Sequence, residues 1–162
     1  MGIPMMDMPI EVFDQEIKAM KRWMRIGAMV LLMNSMAAFA GPAITLYKSP
    51  NCGCCVKYIE YLKANGFAVK AYDQADMDGI KKRYGVTRVA SCHTALVNGY
   101  VVEGHVPVGA INKLLKEKPA VAGISVPGMP LNSPGMGEMK KGTLTVYTIP
   151  KGGETPKVFS VE

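Results

Sequence analysis

Apolar and polar positions change period several times along the chain, and each change marks an element. Residues 43–47 (Ala43-Ile44-Thr45-Leu46-Tyr47) form a short apolar run that reads as a strand. Residues 56–62 carry a helical pattern that stops at Asn65-Gly66, a C-cap signal. Phe67-Ala68-Val69-Lys70-Ala71-Tyr72 alternates as a second strand, and residues 76–84 read as a short helix closed by Gly85. Two further β-rich runs, Thr94-Ala95-Leu96-Val97 and Tyr100-Val101-Val102-Glu103, flank Asn98-Gly99, a strong hairpin signal. Residues 108–118 are apolar at 108, 111, 114 and 115 and predict a third helix, ended before Pro119.

The order β-α-β-α-β-β-α is that of a thioredoxin-like α/β fold, a βαβ unit joined to a hairpin and a helix on one sheet. Beyond Pro119 the composition shifts to a loop rich in proline and glycine over residues 126–139, which carries Met129, Met136 and Met139. Residues 143–149 and 157–161 then read as an added C-terminal β-hairpin around Gly152-Gly153, extending or covering the sheet. The expected organisation is an extension and leader over 1–40, a thioredoxin-like domain over 41–119, and the loop and hairpin over 120–162, packed on that domain.

The leader reading rests on three parts. Lys21, Arg22 and Arg25 form a positive n-region, residues 26–33 an apolar h-region, and Ala38-Phe39-Ala40 places small residues before Gly41. The alternative, an uncleaved anchor, would have only residues 26–40 to span with, and these include Asn34 and Ser35. A span needs about 20 mainly apolar residues, so cleavage between Ala40 and Gly41 and export from the cytoplasm are expected, with no lasting membrane insertion. Met20 or Met24 makes a more natural start than Met1.

The leader's four acidic residues cancel its four basic ones, so the mature chain keeps the full charge of +6. That charge lies in short clusters such as Lys81-Lys82-Arg83 and Lys140-Lys141, without interleaved aromatics, and reads as solvated faces; no nucleic-acid partner is expected.

The chemistry concentrates in Ser49-Pro50-Asn51-Cys52-Gly53-Cys54-Cys55, which holds three of the four cysteines between the first strand and the first helix. Sulfurs placed there meet the free N–H groups and the positive end of the helix dipole, which favour thiolate, the form that acts as nucleophile and metal ligand. The fourth cysteine, Cys92, precedes His93 where the third strand opens, and His105 follows the fourth strand. In the expected topology these three segments meet at one edge of the sheet. Thioredoxins usually carry a cis-proline before the third strand; here Ala90-Ser91-Cys92-His93 stands in that place without proline.

Four motifs in order, Tyr47-Lys48-Ser49-Pro50-Asn51-Cys52-Gly53-Cys54-Cys55, Ser91-Cys92-His93-Thr94-Ala95, Gly104-His105-Val106-Pro107 and Val126-Pro127-Gly128-Met129-Pro130, resemble one family. It is the thioredoxin-like, cysteine-rich domain of unknown function that includes the CopG periplasmic copper-resistance proteins, which are distinct from the plasmid repressor of that name. The resemblance spans residues 44–139. It implies periplasmic handling of Cu(I) in copper resistance, with Cys52, Cys54, Cys55 and Cys92 as ligands and with copper-export or copper-carrier proteins as partners.

Three other uses of the cysteines compete with that reading. Two structural disulfides fit an exported protein and an even count, but Cys54 and Cys55 are adjacent and within three residues of Cys52, whereas bridges gain most by closing long loops. Zinc accepts four thiolates, yet its sites usually use separated pairs. A thiol–disulfide oxidoreductase would use Cys52 as nucleophile and Cys55 as resolving thiol, but it needs the open substrate face that Cys92 and the missing proline argue against. Cu(I) favours thiolate and thioether, can cycle with Cu(II), and crowded thiolates can bridge several ions. His93 and His105 are additional candidate ligands, although strand alternation would turn His93 away from Cys92 unless the strand has not yet begun. Met129, Met136 and Met139 are candidate accessory thioethers, with gap filling as their alternative role. No carboxylate pair, Ser/His/Asp set or phosphate-cradling loop is present, and Tyr58, Tyr61 and Leu62 fall at core spacing.

Overall fold

The computed structural model describes residues 41–86 and 88–162, together with Lys18. The leader and its cleavage point lie outside the described residues. Strand β1 (Ala43–Lys48) turns Ile44, Leu46 and Lys48 inward. Helix α1 (Gly53–Ala64) buries Cys55, Tyr58, Ile59 and Leu62, the i, i+3, i+4, i+7 stripe of an amphipathic helix. It ends at Asn65, and Gly66 takes the left-handed conformation (φ 88°) that closes it. Phe67, expected to open the second strand, instead plugs the core, its N–H donating to the Leu62 carbonyl; β2 runs from Ala68 to Asp73.

Asp76 caps helix α2 (Met77–Arg83) by accepting the Gly79 N–H at 2.8 Å. Strands β3 (His93–Val97) and β4 (Tyr100–Glu103) are joined by Asn98 and Gly99, both at positive φ (45° and 82°), as a type I′ turn requires. Helix α3 (Val108–Glu117) faces the core with Ala110, Ile111 and Leu114.

The element order and the mixed α/β class are those expected, but the sheet is larger. Its seven strands run in the order β2-β1-β3-β4-β5-β6-β7. Strand β5 (Gly123–Ser125) has no counterpart in the sequence reading; it lies parallel to β4 and antiparallel to β6. A Cβ at Gly123 would collide with the Val101 backbone, so the close strand approach needs glycine there. Through β5 the terminal hairpin, β6 (Thr145–Ile149) and β7 (Val158–Val161), extends the sheet.

Residues 40–162 make one compact unit. On one sheet face, α1 and α3 cover a core of Ile44, Leu46, Tyr58, Leu62, Val102, Ile111, Leu114 and Ile124. Val86, Val89, Val101 and Ile149 cluster separately. The neighbours Val101 and Val102 enter different clusters, so these lie on opposite faces. Lys48 at the end of β1 pairs with His93 at the start of β3, and Thr94 with Glu103 at the end of β4. The loops that follow β1 and β4 and the one that precedes β3 therefore leave the sheet along one edge.

Candidate metal centre

At that edge the chain after β1 turns at once, the Cys52 N–H donating to the Ser49 carbonyl at 3.1 Å. The ammonium of Lys48 holds the turn, 3.3 Å from Ser49 O and 3.4 Å from Pro50 O, and pairs with Asp73 at 2.6 Å. Cys52 is the N-cap of α1, Cys54 and Cys55 lie in its first turn, and only Cys55 is fully buried. Cys52 and Cys55 form a disulfide, while Cys54 and Cys92 are free thiols. The Cys54 sulfur lies 3.5 Å from that of Cys52, and the Cys92 sulfur 3.6 Å from that of Cys55.

Cys92 sits in a bend one residue before β3. Because the strand has not begun, alternation does not separate it from His93: its sulfur is 3.2 Å from His93 Nδ1 and 3.1 Å from His105 Nε2. His105 Nδ1 lies 2.7 Å from the Pro134 carbonyl, which only accepts, so Nδ1 carries the proton and Nε2 turns its lone pair to the sulfur. His93 Nε2 is buried without a hydrogen-bond partner among the described residues. Both imidazoles pack on Tyr58, at centroid distances of 4.7 and 5.1 Å, and stand 4.9 Å from each other. The Tyr58 hydroxyl donates to the Val106 carbonyl at 2.8 Å.

Burial sets the protonation of this group. It pushes the Cys92 thiol up to about 12, with Cys54 adding to the rise. It holds His93 well below the usual histidine range, helped by His105 and the Lys81 ammonium, and lowers His105 as well. Neutral imidazoles are the ligand form, and a nearby cation would reverse the burial effect on the thiol. Two donor groups result, each with its ligand atoms within 4.8 Å of one another: the set Cys92, His93, His105, and the sulfurs of Cys52, Cys54, Cys55 and Cys92, which can hold a metal ion together once the Cys52–Cys55 bridge is reduced. Cys92 belongs to both.

The loop over 126–139 wraps this edge. The Gly128 N–H donates to Ala90 O at 3.1 Å, the Ser91 hydroxyl donates to Gly128 O, and Gly135 packs so closely on α1 that a Cβ would meet the Tyr58 backbone. Met129 (56% exposed) and Met139 (39%) face solvent, and Met136 is half-buried.

Two participants escaped the sequence reading. Lys81, taken as part of a solvated cluster, has a side chain only 12% exposed; its ammonium meets the fully buried Glu103 carboxylate at 2.6 Å. The one sequence signal for Glu103 was its place as an acidic residue closing the apolar run Tyr100-Val101-Val102. Tyr58 is core, as its spacing indicated, but its ring is also the wall against which both histidines rest.

Fold and site together define a mixed α/β protein whose sheet edge carries a cysteine–histidine cluster able to hold metal. Two solved structures, forms 1 and 2 of copper resistance protein CopG, are each 40% identical to the chain, with a TM-score of 0.68, and cover 75% of it and 98% of their own length. The model of the DUF411 family of proteins of unknown function matches residues 89–136. No curated protein matches the chain. The chain belongs to the CopG copper-resistance family.

Proposed function

We propose that the protein binds copper in copper resistance, holding Cu(I) at its thiolates in a small multinuclear cluster. The observation that carries this reading is the sharing of Cys92 between an all-sulfur group and a sulfur–imidazole group. Four sulfurs and two imidazole nitrogens exceed what one two- or three-coordinate Cu(I) ion takes up, so a bridging thiolate with more than one ion uses them best. The crowded soft donors favour Cu(I) over Zn(II), whose structural sites are usually closed by four tetrahedral ligands. The mixed sulfur–imidazole group also suits Cu(II), which supports cycling of the metal between two oxidation states. Cys52, Cys54, Cys55, Cys92, His93 and His105 are the proposed ligands; Met129, Met136 and Met139 are accessory.

The protein acts in the periplasm as the mature form from Gly41, receiving copper from or passing it to other periplasmic copper proteins. Among the described residues no helix is long and apolar enough to cross a membrane. Anaerobic titration of the reduced protein with Cu(I), against a coloured chelator and then against Zn(II), tests the reading. More than one tightly held Cu(I) per chain is expected, and displacement by zinc would overturn it.

The Cys52–Cys55 bridge favours a second reading, a thiol–disulfide oxidoreductase. The reduced Cys52 thiolate would attack a substrate disulfide, and Cys55 would then displace it, leaving the substrate as two thiols and the protein as the bridged form. Insulin reduction that needs only Cys52 and Cys55 would support it.

A further inference from the structure

Cys92 lies one residue beyond the last β1–β3 pair, Lys48 with His93, so the β1 ladder does not hold it. Its predecessor Ser91 is tied down twice instead. A parallel bridge and its hydroxyl join it to Gly128, and its backbone N–H donates to Glu103 Oε1 at 2.7 Å. The same oxygen takes the Lys81 ammonium at 2.6 Å, and Oε2 takes the Thr94 hydroxyl at 2.7 Å. An ionised carboxylate accepts only, and here its bonds go to Lys81 of α2 and to Ser91 and Thr94, the residues on either side of Cys92-His93. Glu103 itself is fixed in β4, opposite Thr94, and its own carbonyl accepts the Val126 N–H at 3.0 Å.

We infer that Glu103 is a positioning residue for the metal centre: its buried carboxylate, held by Lys81, clamps the Ser91 N–H and so sets where the Cys92 sulfur stands against His93 and His105. The inference rests on the copper reading for its consequence, but not for its geometry. A buried ion pair has a plainer role, filling space at the sheet edge. Such a role can be met by apolar residues of similar size, whereas removal of one partner leaves a buried charge unpaired. Only the positioning role needs an acceptor facing Ser91.

Two double variants of the full chain separate these roles. E103M/K81M keeps the volume, removes both charges and leaves the Ser91 N–H without its acceptor. E103Q/K81M also removes both charges, but its amide oxygen can still accept from Ser91. The readouts are Cu(I) affinity by chelator competition, the thermal midpoint, and hydrogen exchange of the Ser91 amide in the metal-free protein.

The expected result is that E103M/K81M stays folded, exchanges Ser91 faster and loses about 10–100-fold in Cu(I) affinity, the usual effect of removing a group that orients a ligand. E103Q/K81M should recover most of both losses. Wild-type affinity in E103M/K81M, or equal loss in both variants, overturns the inference. If E103M/K81M does not fold, exchange in the other two proteins decides: protection of Ser91 in wild type and in E103Q/K81M supports the clamp, and unprotected exchange in wild type refutes it. A wild-type protein that binds no Cu(I) but protects Ser91 refutes the copper reading and leaves the clamp standing.

Discussion

Replacing Cys92 with serine removes the one atom that both donor groups share. Its sulfur stands 3.1 and 3.2 Å from the two imidazole nitrogens and 3.6 Å from the Cys55 sulfur, so the substitution takes a soft donor from the sulfur set and the only sulfur from the histidine set. Loss of a group that merely orients a ligand costs about 10–100-fold in metal affinity. Loss of the bridging ligand should cost at least the upper end of that range, about 100-fold or about 2.8 kcal/mol. The fold should hardly notice. Cys92 is half-buried, serine is nearly isosteric, and its hydroxyl can still donate to one imidazole, so a stability change under about 1 kcal/mol is expected. The assay is anaerobic Cu(I) titration of reduced wild type and Cys92→Ser against a coloured chelator, with circular dichroism as the folding control. Binding within threefold of wild type at the same stoichiometry would refute the shared-ligand argument.

Tyr58→Phe keeps the ring under both histidines but leaves the buried Val106 carbonyl without its donor, so it should cost about 1–3 kcal/mol in urea unfolding while Cu(I) affinity stays within threefold. The metal-free protein should lose stability on acidification. Both histidines titrate below their ordinary value of about 6.5 when folded, so below that pH the unfolded chain binds more protons, which favours unfolding by up to about 1.4 kcal/mol per pH unit for each histidine. A urea midpoint at pH 5.5 equal to or above that at pH 7.5 would contradict this. Mass spectrometry of the exported protein should find Gly41 at its N-terminus, and an intact Met1 or Met20 would contradict the leader reading.

The elements that could be read from sequence carry their own punctuation. Asn65-Gly66 stops α1, Asp76 caps α2, and Asn98-Gly99 makes the hairpin turn; each acts through local backbone geometry and needs nothing from the rest of the chain. Strand β5 has no such signal. Three residues, two of them Gly123 and Ser125, become a strand only because β4 and β6 offer ladders on both sides. The donor types were legible from the cysteine spacing and from His93 and His105. Their supports were not, because Glu103, Lys81 and Pro134 act through tertiary contacts at separations of 12 to 29 residues from the segments they hold. A lysine in Lys81-Lys82-Arg83 is indistinguishable from its neighbours until the fold sets it over a buried carboxylate.

The disulfide and the all-sulfur group use the same atoms, so the molecule cannot present both at once. With Cys52 and Cys55 bridged, Cys54 and Cys92 are the remaining thiols, and Cys92, His93 and His105 still form a complete donor set. Opening the bridge takes two electrons and two protons and returns two thiols, which complete the four-sulfur group. If those sulfurs are ligands, metal capacity must rise on reduction. Ag(I), a soft ion that does not reduce disulfides, can be titrated into both forms without changing either. About one ion per bridged chain is expected, and at least twice as many per reduced chain. A Cys52→Ser/Cys55→Ser variant, unable to bridge, should match the bridged form under both conditions. Equal capacity in the bridged and reduced wild type would show that Cys52 and Cys55 do not hold metal, and would turn the assignment toward the oxidoreductase.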